Sequence, residues 1–219
     1  MNLNKCSMKT KIIQTALRLF LEKGYINTTS NEISKALGIS KGNLTFHFPT
    51  KEDLLLDLLK RLCDFQWIIV KNNLNNDNLV LAYCIEISIM AWICENNINA
   101  KELYLAAYRQ DNSLKMIREL DTIKIENVFK KYKPNWVKEN FKNAEYLISG
   151  IEYALLCSAK DKDYPINNRL AITLRLMLSI LGVSDNEIKA LIDEVYLLDC
   201  EALGNKVLNE FIKYINEQK

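Results

Sequence analysis

The chain has 219 residues, 49% of them hydrophobic and 26% charged, with only 6 glycines and 3 prolines. That is enough apolar material for a packed core, which excludes wholesale disorder, and too few breakers for a turn-rich sheet fold. The net charge of +2 is unevenly spread: residues 1–51 carry Lys5, Lys9, Lys11, Arg18, Lys23, Lys35, Lys41 and Lys51 against Glu22 and Glu32, a basic head of +6, so the remainder carries −4, the pattern of a chain whose head meets a polyanion.

In chain order, Ile12, Ile13, Ala16, Leu17, Phe20 and Leu21 recur at helical spacing, and Lys23-Gly24 closes that first helix. Thr29 with Glu32 three residues on is a capping box for a second helix. Ile33, Ala36 and Leu37 are expected on its apolar side, and Gly38 ends it. Ser40 caps a short third helix through about His47, and Pro49 stops it. Thr50, with Asp53 at the third helical position, opens a long fourth helix whose buried stripe is Leu54, Leu55, Leu58, Leu59 and Leu62. The link Leu37-Gly38-Ile39-Ser40 is the short glycine-containing turn of a helix-turn-helix, and the third helix is the one offered to a DNA groove.

Beyond residue 76 the pattern predicts helices near 77–96, 99–110, 113–132, 136–160, 166–182, 185–198 and 201–217. Breaks are expected at Asn75-Asn76-Asp77, at 96–99, at Pro134 and Pro165, and at Gly182 before a capping box of Ser184 and Glu187. The fold is therefore expected to be all-α, with a three-helix head over 1–50 and a helical regulatory domain over 51–219.

The opening MNLNKCSMKTK has no apolar stretch or small-residue cleavage site, so no signal peptide is expected. The most apolar run, 79–94, contains Glu86 and is short for a membrane span. A cytoplasmic protein with no membrane partner is expected. Cysteines stand at 6, 63, 84, 94, 157 and 200, with no pair at zinc-site spacing. They are expected to be reduced and mostly buried. His47 is the only histidine and lies inside the helix-turn-helix, so it is expected to pack rather than to serve a triad or a metal. No glycine pattern cradles phosphate, and neither an enzyme nor a cofactor is expected.

The stretch TTSNEISKALGISKGNLTFHFPTKEDLL, residues 28–55, resembles the DNA-binding signature of the TetR/AcrR family of transcriptional regulators. Thr29, Ile33, Gly38, Ser40, Gly42, Leu44, His47-Phe48 and Lys51 fall at that family's spacing, and with the first helix the resemblance covers about residues 9–60. It implies backbone contacts from Lys51. On physical grounds, Thr28 and Thr29 at a helix N-terminus can hold a phosphate. Ser40, Lys41, Gly42 and Asn43 open the helix that meets base edges. Asn43 suits adenine, Lys41 guanine or a phosphate, and Gly42 allows close approach. One departure is Thr45, where the family often has a phosphate-binding tyrosine. Phe46 beside it has no hydroxyl.

In the second domain, Glu86 sits in an all-apolar helix, Glu152 in YLISGIEYALLC and Arg175 in LAITLRLMLSILG. One reading pairs Glu152 with Arg175 across neighbouring helices or a dimer seam. The other places Glu86 or Glu152, with aromatics such as Trp92 and Tyr108, around a cavity for a cationic or hydrogen-bonding effector. The resemblance implies a homodimer on palindromic double-stranded DNA, with a seam drawn from 136–160 and 166–182, or 185–198 as the alternative partner. A repressor released by a small-molecule effector is expected. The residues leave open a constitutive dimeric DNA-binding protein: a solid sensor core would favour it, and a cavity containing polar groups would favour a sensor.

Overall fold

The computed structural model describes residues 7–73 and 78–218; Lys5, Cys6 and the expected break at Asn75-Asn76-Asp77 lie outside them. The described residues form eleven α-helices and no strand: α1 (Met8–Lys23), α2 (Ser30–Leu37), α3 (Lys41–His47), α4 (Lys51–Asn73), α5 (Leu79–Asn96), α6 (Ile98–Arg109), α7 (Asp111–Phe129), α8 (Lys138–Cys157), α9 (Ile166–Ile180), α10 (Asp185–Tyr196) and α11 (Cys200–Glu217). The all-α expectation holds, and each expected helix recurs to within a few residues at its ends.

Local chemistry explains the short helices at the head. The Thr29 hydroxyl accepts from Glu32 N at 3.2 Å while Thr29 N donates to the Glu32 carboxylate at 2.9 Å. Ser40 accepts from Asn43 N at 3.2 Å. Thr50 and Asp53 form a second reciprocal box, 3.1 Å and 3.0 Å. Such caps contribute about 1 kcal/mol each. Between α2 and α3, Gly38 adopts φ +66°, the left-handed turn that a Cβ disfavours. The expected box before α10 is only half made. Ser184 accepts from Glu187 N at 3.4 Å, but the Glu187 carboxylate accepts instead from the Tyr132 hydroxyl.

The apolar face of α2 corrects the sequence reading. Ile33 and Ser34 are buried and Leu37 half-buried, whereas Ala36 is exposed. An eight-residue helix has one narrow inner face; here it is centred between Ile33 and Ser34, and Ala36 falls off its edge.

In α4 the leucines 54, 55, 58, 59 and 62 are all buried, as expected. The central helix is α5, enclosed by α4, α6, α9, α10 and α11. By length and composition it could cross a membrane, contrary to the expectation that it is too short, but 72% of it is buried inside the protein. Its apolarity is that of a core helix. Cys84, Cys94 and Cys200 are buried, Cys63 is half-buried and Cys157 exposed.

One continuous core runs from Ile12 in α1 to Ile215 in α11. The head is clasped by α6, where Asn99 Nδ2 donates to Leu21 O at 2.8 Å and Glu102 accepts from Ile26 N at 3.4 Å. Lys9 pairs with Asp57 of α4 at 2.9 Å, and Gln14 donates to Ile215 O of α11 at 3.0 Å.

The expected Glu152–Arg175 pair does not form. Arg175 is exposed on α9, while Glu152 is buried within the subunit, which also removes the seam alternative. The buried ion pairs lie elsewhere: Lys124 bridges Glu86 and Asp121, 2.9 Å to each, and Arg169 meets Glu95 at 2.8 Å.

Candidate nucleic-acid interface and buried cavity

Leu44 and Phe48 anchor α3 in the head, which leaves Lys41, Gly42, Asn43 and Phe46 exposed along it. Phe46 is 84% exposed, an unusual position for a bare aromatic ring. His47 packs edge to face on it, with ring centroids 5.2 Å apart. Thr45 is half-buried, and its hydroxyl donates to Gly42 O at 3.2 Å, so this short side chain is engaged within its own helix. Ser40 spends its hydroxyl on the α3 cap.

At the start of α2, Thr29 is exposed. Its backbone N–H, and then Lys23, hold the Glu32 carboxyl below the usual range. Thr28 departs from the expectation. It is 0% exposed, and its hydroxyl donates to Gly24 O at 2.8 Å and Leu19 O at 3.3 Å. The preceding turn has wrapped over it, so it braces the head and offers nothing to a phosphate. The Lys51 ammonium donates to Tyr25 O at 3.0 Å and Thr28 O at 3.1 Å and lies 4.2 Å from the centre of the Tyr25 ring. An ammonium has three hydrogens, so one donor remains for a phosphate.

The second region is a cavity of about 50 Å³ lined by α4, α5, α6, α7 and α8. Its polar wall includes Gln66, Glu86, Tyr108, Asp121, Lys124 and Glu152. The structure thus brings together three of the four expected effector residues. The fourth, Trp92, is half-buried on the opposite side of α5, beside Leu170 and Cys200. A helix buried all round sends successive side chains in every direction, and apolarity alone could not say which way Trp92 points.

Tyr108 donates its hydroxyl to Glu152 at 2.8 Å. Burial pushes the Glu152 carboxyl up, and nearby Asp121 adds to this while the Tyr108 hydrogen bond opposes it. Burial likewise raises Glu86, opposed by Lys124. Burial alone would pull Lys124 down, but Asp121 and Glu86 hold its ammonium well above the ordinary range. Gln66, Asp121 and Lys124 were not anticipated; only the Asp121/Lys124 spacing of three on one helix left a trace in the sequence.

On the outside, Leu147 of α8 and Ile172 and Leu176 of α9 are exposed. Gly150 on α8 is also exposed, with open space where a Cβ would stand.

The model for bacterial regulatory proteins of the tetR family matches residues 12–58, from within α1 to the first third of α4. Over these residues the chain is similar to the tetR family. The chain is 34% identical over 103 residues to the biofilm operon icaADBC HTH-type negative transcriptional regulator IcaR of Staphylococcus aureus, a stretch covering 47% of this chain and 53% of that protein. It is 33% identical over 111 residues to the uncharacterized HTH-type transcriptional regulator YuxN of Bacillus subtilis, covering 50% of this chain and 37% of YuxN. The chain thus spans about half or less of the length of these curated relatives. Among solved structures, a tetR family transcription regulator from Shewanella sp. PV-4 aligns with a TM-score of 0.54 at 17% identity, over 81% of this chain and 100% of that one. At that identity the likeness shows the fold alone.

Proposed function

We propose that this protein is a transcriptional regulator in which a head of residues 1–50 binds an operator and a body of residues 51–219 dimerises and binds a small effector. The observation that carries the sensor part is the cavity with buried polar groups, because its wall includes Leu59, Leu62, Cys63 and Gln66 of α4, the helix that leaves the head. A cavity with polar groups on its wall favours a sensor over a constitutive DNA-binding dimer with a solid core.

On DNA, α3 enters the major groove. Asn43 and Lys41 reach adenine and guanine edges, and exposed Phe46 meets thymine methyl groups. Thr29 and Lys51 hold the backbone. Two heads about 34–36 Å apart read a palindrome through a twofold dimer whose seam is the outer face of α8 and α9. A ligand that widens the cavity displaces α4 and spoils that spacing. This requires tighter binding to the released state than to the DNA-bound one. The sign is taken as repression on the resemblance alone, in line with the name of the Staphylococcus aureus relative. A regulator of chromosomal DNA works in the cytoplasm.

The test is fluorescence anisotropy on duplex DNA from the protein's own upstream region, with a scrambled duplex beside it, across a salt series. Sequence-selective binding by two subunits per site, weakening with salt, is expected. Absence of binding to any duplex, even at low salt, would reject the reading.

A further inference from the structure

The cavity behind α4 is lined by more acid than base. Glu86, Asp121 and Glu152 face Lys124, the one cation among the described lining residues. That cation is already committed: its ammonium donates to both Glu86 oxygens, at 3.0 and 2.9 Å, and pairs with Asp121 at 2.9 Å. Glu152 is left with a neutral partner, the Tyr108 hydroxyl. Two helical turns before it on the same face of α8, Glu145 is buried, and its Oε1 has no hydrogen-bond partner. Arg118 is near enough to Glu145 to moderate its charge, but its Nε donates to Ser149 at 3.0 Å and its guanidinium lies over the Tyr146 ring.

On the cavity wall itself two polar groups have no partner: Gln66 Nε2 and the Tyr83 hydroxyl, on side chains that are almost wholly buried. Carboxylates and amides left unmatched in an apolar interior are costly. Their combined demand defines a ligand. Glu152 calls for positive charge carried on N–H donors, and Gln66 calls for an acceptor. Tyr83, Tyr104 and Tyr108 supply ring faces that favour a cation, as the Trp67 ring already does for Lys124 at 5.3 Å.

We propose that this cavity binds an organic cation, a protonated amine or guanidine on a compact apolar or aromatic body, with its N–H groups on Glu152 and its body among the tyrosines. The proposal rests on the reading of the cavity as the effector site and names the ligand class. At about 50 Å³ the space is far below the several hundred Å³ of an occupied small-molecule pocket, so the ligand enters by parting the helices.

The experiment is calorimetric titration of the full chain with phenethylamine, 2-phenylethanol and phenylacetate, one body carrying positive, zero and negative charge. Phenethylamine is expected to bind tightest, with the alcohol roughly tenfold or more weaker and phenylacetate weaker still. Glu152→Gln, which removes charge but keeps shape, is expected to weaken the amine roughly tenfold. Equal binding of the three probes, no binding of the amine to the unaltered protein at millimolar concentration, or undiminished amine affinity in Glu152→Gln would each overturn the proposal. The probe series on the unaltered protein decides even if Glu152→Gln fails to fold. Operator anisotropy without ligand runs in parallel: loss of DNA binding would reject the regulator reading, while calorimetry alone decides the ligand class.

Discussion

Lys51 and Lys41 are both head lysines, yet their surroundings give them different work. Lys41 is exposed, whereas Lys51 closes two backbone carbonyls of the α1–α2 turn. Lys51→Ala is therefore expected to lose about 1–2 kcal/mol of stability in urea melts as well as operator affinity. Lys41→Ala should leave stability within about 0.5 kcal/mol and lower the slope of log affinity against log salt by about one. The family resemblance marked Lys51 as a backbone contact; its second role needed the turn to be seen. Glu145 gives a pH prediction. Burial first, then Asp121 and Glu152, raise its carboxyl above the unfolded value, while Lys124 and Arg118 oppose. The stability of its protonated form is present below the ordinary carboxylate range and is lost as pH rises through the raised folded value. Glu145→Gln stays neutral, so its melting temperature should match the unaltered protein near about pH 5 and exceed it increasingly toward about pH 9. A gap that did not widen would place Glu145 in contact with a counter-ion.

At the scale of elements, what the sequence made legible was local. Thr29 and Glu32, Thr50 and Asp53, and Ser40 with Asn43 N are each three residues apart, so spacing alone carried the helix starts. Gly38 was readable for the same reason, and it can be tested cleanly. A Cβ there would meet nothing within 4 Å, so Gly38→Ala isolates the cost of φ +66°. A loss of about 1 kcal/mol is expected from differential scanning calorimetry, with Gly38→Asn losing less. Pairs made between helices were not legible. The partner of Glu86 is 38 residues away, Arg175 turned outward, and Trp92 pointed away from the cavity. Glu187 met Tyr132 rather than completing its box. Periodicity tells which face of a helix is inner; the neighbour that face meets is settled by packing of the whole bundle.

At the scale of the molecule, the proposed seam makes a direct prediction. Leu147 is 58% exposed on α8, and Leu147→Glu would set two like charges face to face across a twofold seam. Light scattering should then report a monomer, and operator affinity should collapse because one head reads half a site. A dimer that persisted would move the seam to α10, where Leu197 is exposed just past the helix end. The clasp of Asn99 on Leu21 O and of Glu102 on Ile26 N has a further consequence, for protein engineering. A chimera cut near the end of the third helix would treat the reading unit as a detachable module. Here the residues that hold its rear surface are encoded some fifty positions downstream of such a cut. A transplant that leaves Asn99 and Glu102 behind would be expected to fold on its new host with a loosened mounting, and one that carries them would keep its aim.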